Sequence, residues 1–148
     1  MNEPAKTPSQ EEQIVDALLR ASRTTLQSFD HALAEVGLSS PKVYALKHLV
    51  EAPQPLGITQ LAIRIHSGKS NATQLVDRLE AEGLVRRVPH PKDRRSLIIE
   101  VTEEGLRRFQ VANGIRQDTA QQIFSTLSES EQQQLHDLLH RFVEERQD

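Results

Sequence analysis

The stretch Ile58–Thr102, ITQLAIRIHSGKSNATQLVDRLEAEGLVRRVPHPKDRRSLIIEVT, decides how the rest of the chain is read. A short helical pattern from about Thr59 to Ile65 puts Leu61, Ala62 and Ile65 on one face. His66, Ser67 and Gly68 make a turn, with Gly68 where a tight change of direction is sterically cheap. A second helix extends to about Ala81, with Leu75, Val76 and Leu79 on one side and Lys69, Asn71, Thr73 and Gln74 largely on others. Gly83 suits the position just past its end. The pattern then changes: Leu84–Val88 and Leu97–Val101 are strand candidates rich in β-branched residues, and Pro89–Arg95 is a polar turn between them. Two helices at a sharp turn, followed by a hairpin with a basic tip, predict a winged helix-turn-helix. Its chemistry is nucleic-acid binding.

Working outward, Ser39, Ser40 and Pro41 signal the start of a helix carrying Val43, Leu46, Leu49 and Val50, with Ser39 or Ser40 as its cap. It stops before Pro53, and Glu51–Gly57 is a stiff connection with two prolines. Upstream, a polar arm reaches to about Ser9. A long helix from Ser9 or Gln10 then carries Ile14, Leu18, Leu26, Phe29, Leu33 and Val36, with a polar break at Ser22–Thr25, until Gly37 ends it. Downstream, Thr102 caps a helix with Glu103 and Glu104 in its first turn, and Ser128–Glu131 fits a capping box for a last helix striped with Leu135, Leu138, Leu139, Phe142 and Val143. The expected class is therefore mainly α (α+β), a single domain over residues 1–148. A DNA-binding lobe at 39–101, with a two-stranded wing, is flanked by dimerisation helices at 9–37 and 103–146. Three amphipathic helices outside so small a lobe are best used between two copies of the chain, setting two recognition helices about 34 Å apart, one turn of B-DNA.

The net charge of −3 conceals a division. Residues 1–63 hold five Lys/Arg and seven Asp/Glu, giving −2; residues 64–95 hold eight and four, giving +4; residues 96–148 hold five and ten, giving −5. The positive field is thus local, and it falls on the helix-turn-helix and wing. There is no Cys, which removes disulfides, thiolate metal sites and cysteine nucleophiles. The N-terminal residues have no apolar core of the kind a signal peptide needs, and no run approaches the roughly 18 apolar residues of a membrane span. A soluble, cytoplasmic protein without membrane contact is expected. No nucleophile, base and orienting group converge, so an enzyme is not expected, nor is a cofactor. Gly68-Lys69-Ser70 resembles the end of a phosphate loop, but the strand and Gly-rich run that should precede it are missing. His136 and His140 stand four apart, a spacing zinc uses, yet two ligands do not make a site and no metal is expected.

Lys69, Ser70, Asn71, Thr73 and Gln74 occupy the N-terminal part of the second helix, which a helix-turn-helix points into the major groove. Asn and Gln can pair with adenine edges, Lys with guanine acceptors, and Ser or Thr with base or phosphate. Arg78 either reaches phosphate or pairs with Asp77 or Glu82. Arg86, Arg87 and Lys92 are expected to supply phosphate attraction, while Ser39 and Lys42 could reach the backbone from the preceding helix. Arg94 and Arg95 lie at the wing tip, where an arginine gains from a narrow minor groove. The competing reading for each is an ordinary solvated polar residue.

Leu61-Ala62, Val76-Asp77-Arg78-Leu79-Glu80, Glu82-Gly83-Leu84-Val85-Arg86-Arg87, Asp93-Arg94-Arg95 and Val101-Thr102-Glu103-Glu104-Gly105 together resemble the MarR family of bacterial transcription regulators. The resemblance covers essentially the whole chain. It implies a triangular homodimer on pseudo-palindromic double-stranded DNA near promoters, most often a repressor. It also implies that Arg95 enters the minor groove while Asp93 orients it, and that a small, often aromatic or phenolic, effector binds between the dimerisation helices and the lobe. Phe29, Tyr44 and Phe109 are the aromatic candidates for that pocket, with a core or interface role competing for the phenylalanines. The alternatives are a winged-helix regulator without an effector, and a helical interaction scaffold that has lost DNA binding.

Overall fold

The computed structural model describes residues 7–145; residues 1–6 of the N-terminal arm and residues 146–148, Arg146 of the last expected helix among them, lie outside the described residues. The order is α1 (Gln10–Ala34), α2 (Ser40–Val50), α3 (Ile58–Arg64), α4 (Lys69–Ala81), β1 (Val85–His90), β2 (Asp93–Val101), α5 (Glu103–Phe124) and α6 (Glu129–Glu144). The architecture is mainly helical, with one two-stranded antiparallel sheet. Val43, Leu46, Leu61, Val76, Leu79 and Leu84 are fully buried at the centre, joined by Leu33 of α1 and Phe109 of α5.

The ends of the helices follow from their caps. Ser9 and Glu12 form a reciprocal capping box at α1, and Ser128 and Glu131 form another at α6. Thr102 ties three segments together at the start of α5: its hydroxyl donates to the Gly83 carbonyl (2.7 Å) and accepts from the Gly105 N–H (3.0 Å). Gly105 must lack a side chain, because a Cβ there would lie 2.0 Å from the Leu84 carbonyl oxygen. This close approach brings α5 against the strand that begins the wing.

The single long first helix is as expected: α1 runs as 25 residues through the polar break at Ser22–Thr25; Ser22, Arg23 and Thr24 lie on solvent, where polar groups cost a helix little. Three other expectations are corrected. The left-handed residue of the α3–α4 turn is His66 (φ +50°), not Gly68, which is extended (φ −66°, ψ 151°) and precedes α4. A pair of bonds closes α3 there, Ser67 N–H to the Ala62 carbonyl (2.9 Å) and His66 N–H to that of Ile63 (3.1 Å), and this geometry fixes the residue between them as left-handed. Asp30 of α1, not a serine side chain, caps α2, accepting the Ser40 N–H at 2.7 Å. A carboxylate is the stronger acceptor at a positive helix end.

The third correction concerns the wing. Its strands run further than Val88 and Leu97, leaving only Pro91 and Lys92 in the turn. The register is regular from Val85↔Val101 to Pro89↔Leu97, then jumps to His90↔Asp93, so Arg94, Arg95 and Ser96 bulge from β2 without partners. The stiff Glu51–Gly57 connection also contributes: Leu56 bridges to Ile99, whose N–H reaches the Leu56 carbonyl at 2.8 Å.

Candidate nucleic-acid interface

The α3–turn–α4 unit presents the exposed side chains of Lys69, Ser70, Asn71 and Gln74. Asn71, Gln74 and Arg78 recur at i, i+3 and i+7 and line one surface hollow of about 390 Å³ together with Tyr44 and His66. Thr73 lies apart from this row, half-buried, with its hydroxyl donating to the Lys69 carbonyl (2.8 Å). Arg78 is exposed, and its guanidinium makes no hydrogen bond or ion pair among the described residues.

The wing tip is shaped by short-range bonds. Asp93 accepts the Arg95 backbone N–H through its carboxylate (3.0 Å) and the Ser96 hydroxyl through its carbonyl (3.0 Å). The His90 ring nitrogen Nδ1 accepts the Lys92 N–H at 3.0 Å. Asp93 therefore acts on the backbone beside Arg95, leaving the guanidinium uncommitted. Lys92, Arg94 and Arg95 are exposed and have no ion-pair partner among the described residues.

Other cations are committed within the chain. Lys42 pairs with Glu82, Arg86 with Glu100 across the hairpin, and Arg87 with both Asp77 and Glu80. Of the residues expected to attract phosphate, Lys42, Arg86 and Arg87 thus carry compensated charge, and Lys92 does not. Glu80 is held below the usual carboxylate range, first by the Arg87 backbone N–H and then by its guanidinium. Ser39 is half-buried at the position before α2, with no side-chain bond to the helix. Within residues 64–95, the cations with no ion-pair partner among the described residues are Arg64, Lys69 and Arg78 along the helix-turn-helix and Lys92, Arg94 and Arg95 at the wing tip. The charge lies where two grooves of a duplex would meet the protein.

A second cavity, about 410 Å³, opens between α1, the start of α2 and the middle of α5. Phe29 and Tyr44 line it with Thr25, Leu26, Ser40, Pro41 and Arg116. The Arg116 guanidinium sits 5.5 Å from the Phe29 ring centroid, and the buried Ser40 hydroxyl has no hydrogen-bond partner among the described residues. Phe109 is not part of this cavity: it is 7% exposed and packs in the core. Its place one turn before Ala112 on the inward face of α5 decides that, whereas Arg116 one turn further emerges beside α1. Arg116 went unnoticed because an arginine in a helix gives no sign of what it faces. His136 and His140 bond through Nδ1 to Asp137 and Glu144, and no group of three or more metal-ligating side chains occurs among the described residues.

The fold and this surface define a winged helix-turn-helix DNA-binding protein. The model of the MarR family matches residues 38–97. PecS of Dickeya dadantii is 30% identical over 133 residues, covering 86% of this chain and 78% of PecS, and the chain belongs to the MarR family. The homoprotocatechuate degradative operon repressor of Escherichia coli is 28% identical over 86% of this chain and 85% of its own length. Among solved structures, CouR bound to a 23-mer DNA duplex superposes with a TM-score of 0.83 at 25% identity, over 95% of this chain and 99% of CouR. CouR from Rhodococcus jostii RHA1 bound to p-coumaroyl-CoA gives 0.79 at 26% identity, over 92% and 95%. The chain is a MarR-family DNA-binding transcription regulator. No helix among the described residues is long and apolar enough to cross a membrane.

Proposed function

We propose that two copies of this chain associate through α1, α5 and α6 and repress transcription by binding a pseudo-palindromic operator. The observation that carries this reading is the concentration of unpaired positive charge on α3–α4 and the wing tip, in a segment of net charge +4 on a chain whose other parts are acidic. Each α4 enters a major groove, where Asn71 and Gln74 read base edges and Lys69, Ser70 and Arg78 meet base or phosphate. Arg95 enters the flanking minor groove, with Asp93 fixing the backbone on which it stands, and Lys92 and Arg94 lie against phosphate. Ser39 is near enough to the lobe's surface to add a backbone contact. Thr73, with its hydroxyl occupied, offers its methyl group.

The apolar faces of the terminal helices support the homodimer. Ile14, Val15 and Leu19 of α1 and Leu138, Leu139 and Val143 of α6 are exposed in one copy, and α6 buries no residue of its own. Apolar stripes of that length on acidic helices are covered by a second copy at little cost in solvation. The cavity bounded by Phe29, Tyr44, Ser40 and Arg116 is the proposed effector site. Its apolar walls, one guanidinium and one unpartnered hydroxyl suit a small aromatic or phenolic molecule carrying an acceptor group. CouR with p-coumaroyl-CoA supports an aromatic acyl compound as the first class to try.

Fluorescence anisotropy on duplexes from the promoter region of the chain's own gene tests the reading. Salt-sensitive binding, about a thousandfold or more tighter than to a scrambled duplex, is expected. Aromatic carboxylates, phenols and their CoA thioesters should release the duplex at fixed salt, and Tyr44→Ala or Arg116→Ala should abolish the release. Specific binding that no compound disturbs would remove the effector and leave the operator reading standing.

A further inference from the structure

The wing and the reading helix are joined through one side chain. Arg87, in β1, sends Nη2 to Asp77 Oδ1 at 2.6 Å and Nη1 to Glu80 Oε2 at 2.5 Å, and its backbone N–H donates to Glu80 Oε1 at 2.9 Å. Asp77 and Glu80 are three residues apart and so share a face of α4, one turn beyond Gln74. No other side chain hydrogen-bonds β1 to α4 among the described residues. The neighbouring Arg86, by contrast, pairs only across the hairpin with Glu100, and its side chain is 67% exposed against 23% for Arg87.

The hairpin needs such a tie. Its buried apolar anchors, Val85, Ile98 and Ile99, reach no further towards the tip than the Val88↔Ile98 pair, and from Pro89 through Leu97 every residue but His90 is exposed. Nothing apolar therefore fixes the direction in which the tip points. A planar guanidinium held by two carboxylates on a rigid helix does fix a direction, because both bonds must be satisfied at once. Nor does Arg87 add to the positive field, since its one charge faces two carboxylates.

We propose that Arg87 is a positioning residue that sets the angle between wing and α4, so that Asn71 and Gln74 meet their bases when Arg95 is in its groove. This rests on the assignment of α4 and the wing tip to adjacent grooves. Arg87 touches no DNA; it acts through the geometry of the two elements that do. Loss of the tie leaves each element able to bind, but not both in register. Its effect should therefore fall on operator DNA and spare scrambled DNA.

The test uses the full-length chain with an operator duplex and a scrambled duplex of equal length, each titrated by anisotropy over a range of salt. Arg87→Met keeps the apolar stem and removes the fork; it should weaken operator binding tenfold or more while changing scrambled binding less than twofold. The salt slope should stay at the wild-type value, since no phosphate contact is lost. Arg87→Lys, which can satisfy one carboxylate at a time, should recover part of the loss. Asp77→Asn combined with Glu80→Gln should lower the operator-to-scrambled ratio as well, even though it removes negative charge from the DNA-binding face. Equal weakening on both duplexes, with a salt slope smaller by about one per protomer, would make Arg87 a phosphate contact and overturn the proposal. An unchanged ratio in a folded Arg87→Met or Arg87→Lys protein would overturn it too, leaving Arg87 a stabilising residue. Wild-type protein that bound both duplexes alike would bring down the groove assignment and the clamp with it.

Discussion

The DNA-binding lobe and the terminal helices use apolar side chains in opposite ways. Within 39–101, Val43, Leu46, Leu61, Val76, Leu79 and Leu84 are sealed from solvent, with Leu33, Leu38, Phe109 and Ala112 joining their cluster from outside. In α1 just one residue is buried, and in α6 none, although both helices carry strong apolar stripes. The lobe's hydrophobic pattern specifies a fold; the pattern of the terminal helices, on the reading proposed above, specifies an assembly. Charge divides the same way, with the positive excess on the lobe and the acidic excess outside it. A regulator built so can place two readers at a fixed spacing, because the elements that set the spacing are not those that read.

The largest test of that division is to spoil the terminal stripe alone. Leu138→Glu with Leu139→Glu should halve the mass measured by light scattering and weaken operator binding by more than about a hundredfold, as one half-site must then act alone. Far-UV circular dichroism should show the lobe still folded. A variant that stays dimeric would break the contrast drawn here. Arg95→Ala acts on the lobe without touching the assembly: a loss of tenfold or more, about 1.4 kcal/mol, is expected in anisotropy at fixed salt. Full wild-type affinity in this variant would take Arg95 out of the minor groove.

A smaller change in total affinity, but a change in kind, is expected for Asn71→Ala and Gln74→Ala. Each should relax base preference at one position of the half-site, measured on a panel of single-base operator variants, by about 1–3 kcal/mol. If the ranking of sites is the same as for wild type, these side chains meet phosphate or solvent instead. The smallest effect concerns acid. His48 of α2 is pushed below its ordinary range, chiefly by burial and then by Lys47 and Arg64, and its Nε2 has no hydrogen-bond partner among the described residues. The unfolded chain therefore takes up this proton first, and stability is lost as pH falls from above the ordinary histidine value through the lower folded value. Glu80 is lowered as well, so its stabilisation is complete above the ordinary carboxylate range and fades as pH drops through its lowered value. Thermal melts from pH 7 to pH 5.5 should show a slightly shallower loss for His48→Gln than for wild type; parallel curves would remove His48 from the pH response.

Much of the fold was legible because its signals are local. Ser9 with Glu12, Thr102, and Ser128 with Glu131 announce helix starts within four residues of one another. The change of hydrophobic period after Gly83 announces the wing. The polar row of Asn71 and Gln74 could be placed at the exposed start of α4 for the same reason. The wing's true length was not legible, since its last pairing and its bulge depend on which residues of β1 and β2 stand opposite each other. Nor was the left-handed His66 legible, because glycine two residues away looked the cheaper site and only the bonds closing α3 decide between them.

By itself the sequence determined the kind of protein: the order of helices and hairpin, the inward faces, and a basic segment on an acidic chain. Those follow from the spacing and charge of neighbouring residues, which the backbone geometry translates directly. The tertiary structure alone decided which cations are available. Arg86, Arg87 and Lys42 read as phosphate seekers until the fold sets them 2.5–3.0 Å from Glu100, Asp77, Glu80 and Glu82, whereas Arg78, Arg94 and Arg95 stay uncommitted. It likewise sent Phe109 to the core and Arg116 to the cavity. A charge acts through its nearest neighbours in space, and residues 10 or 40 positions apart become neighbours only when the chain has folded.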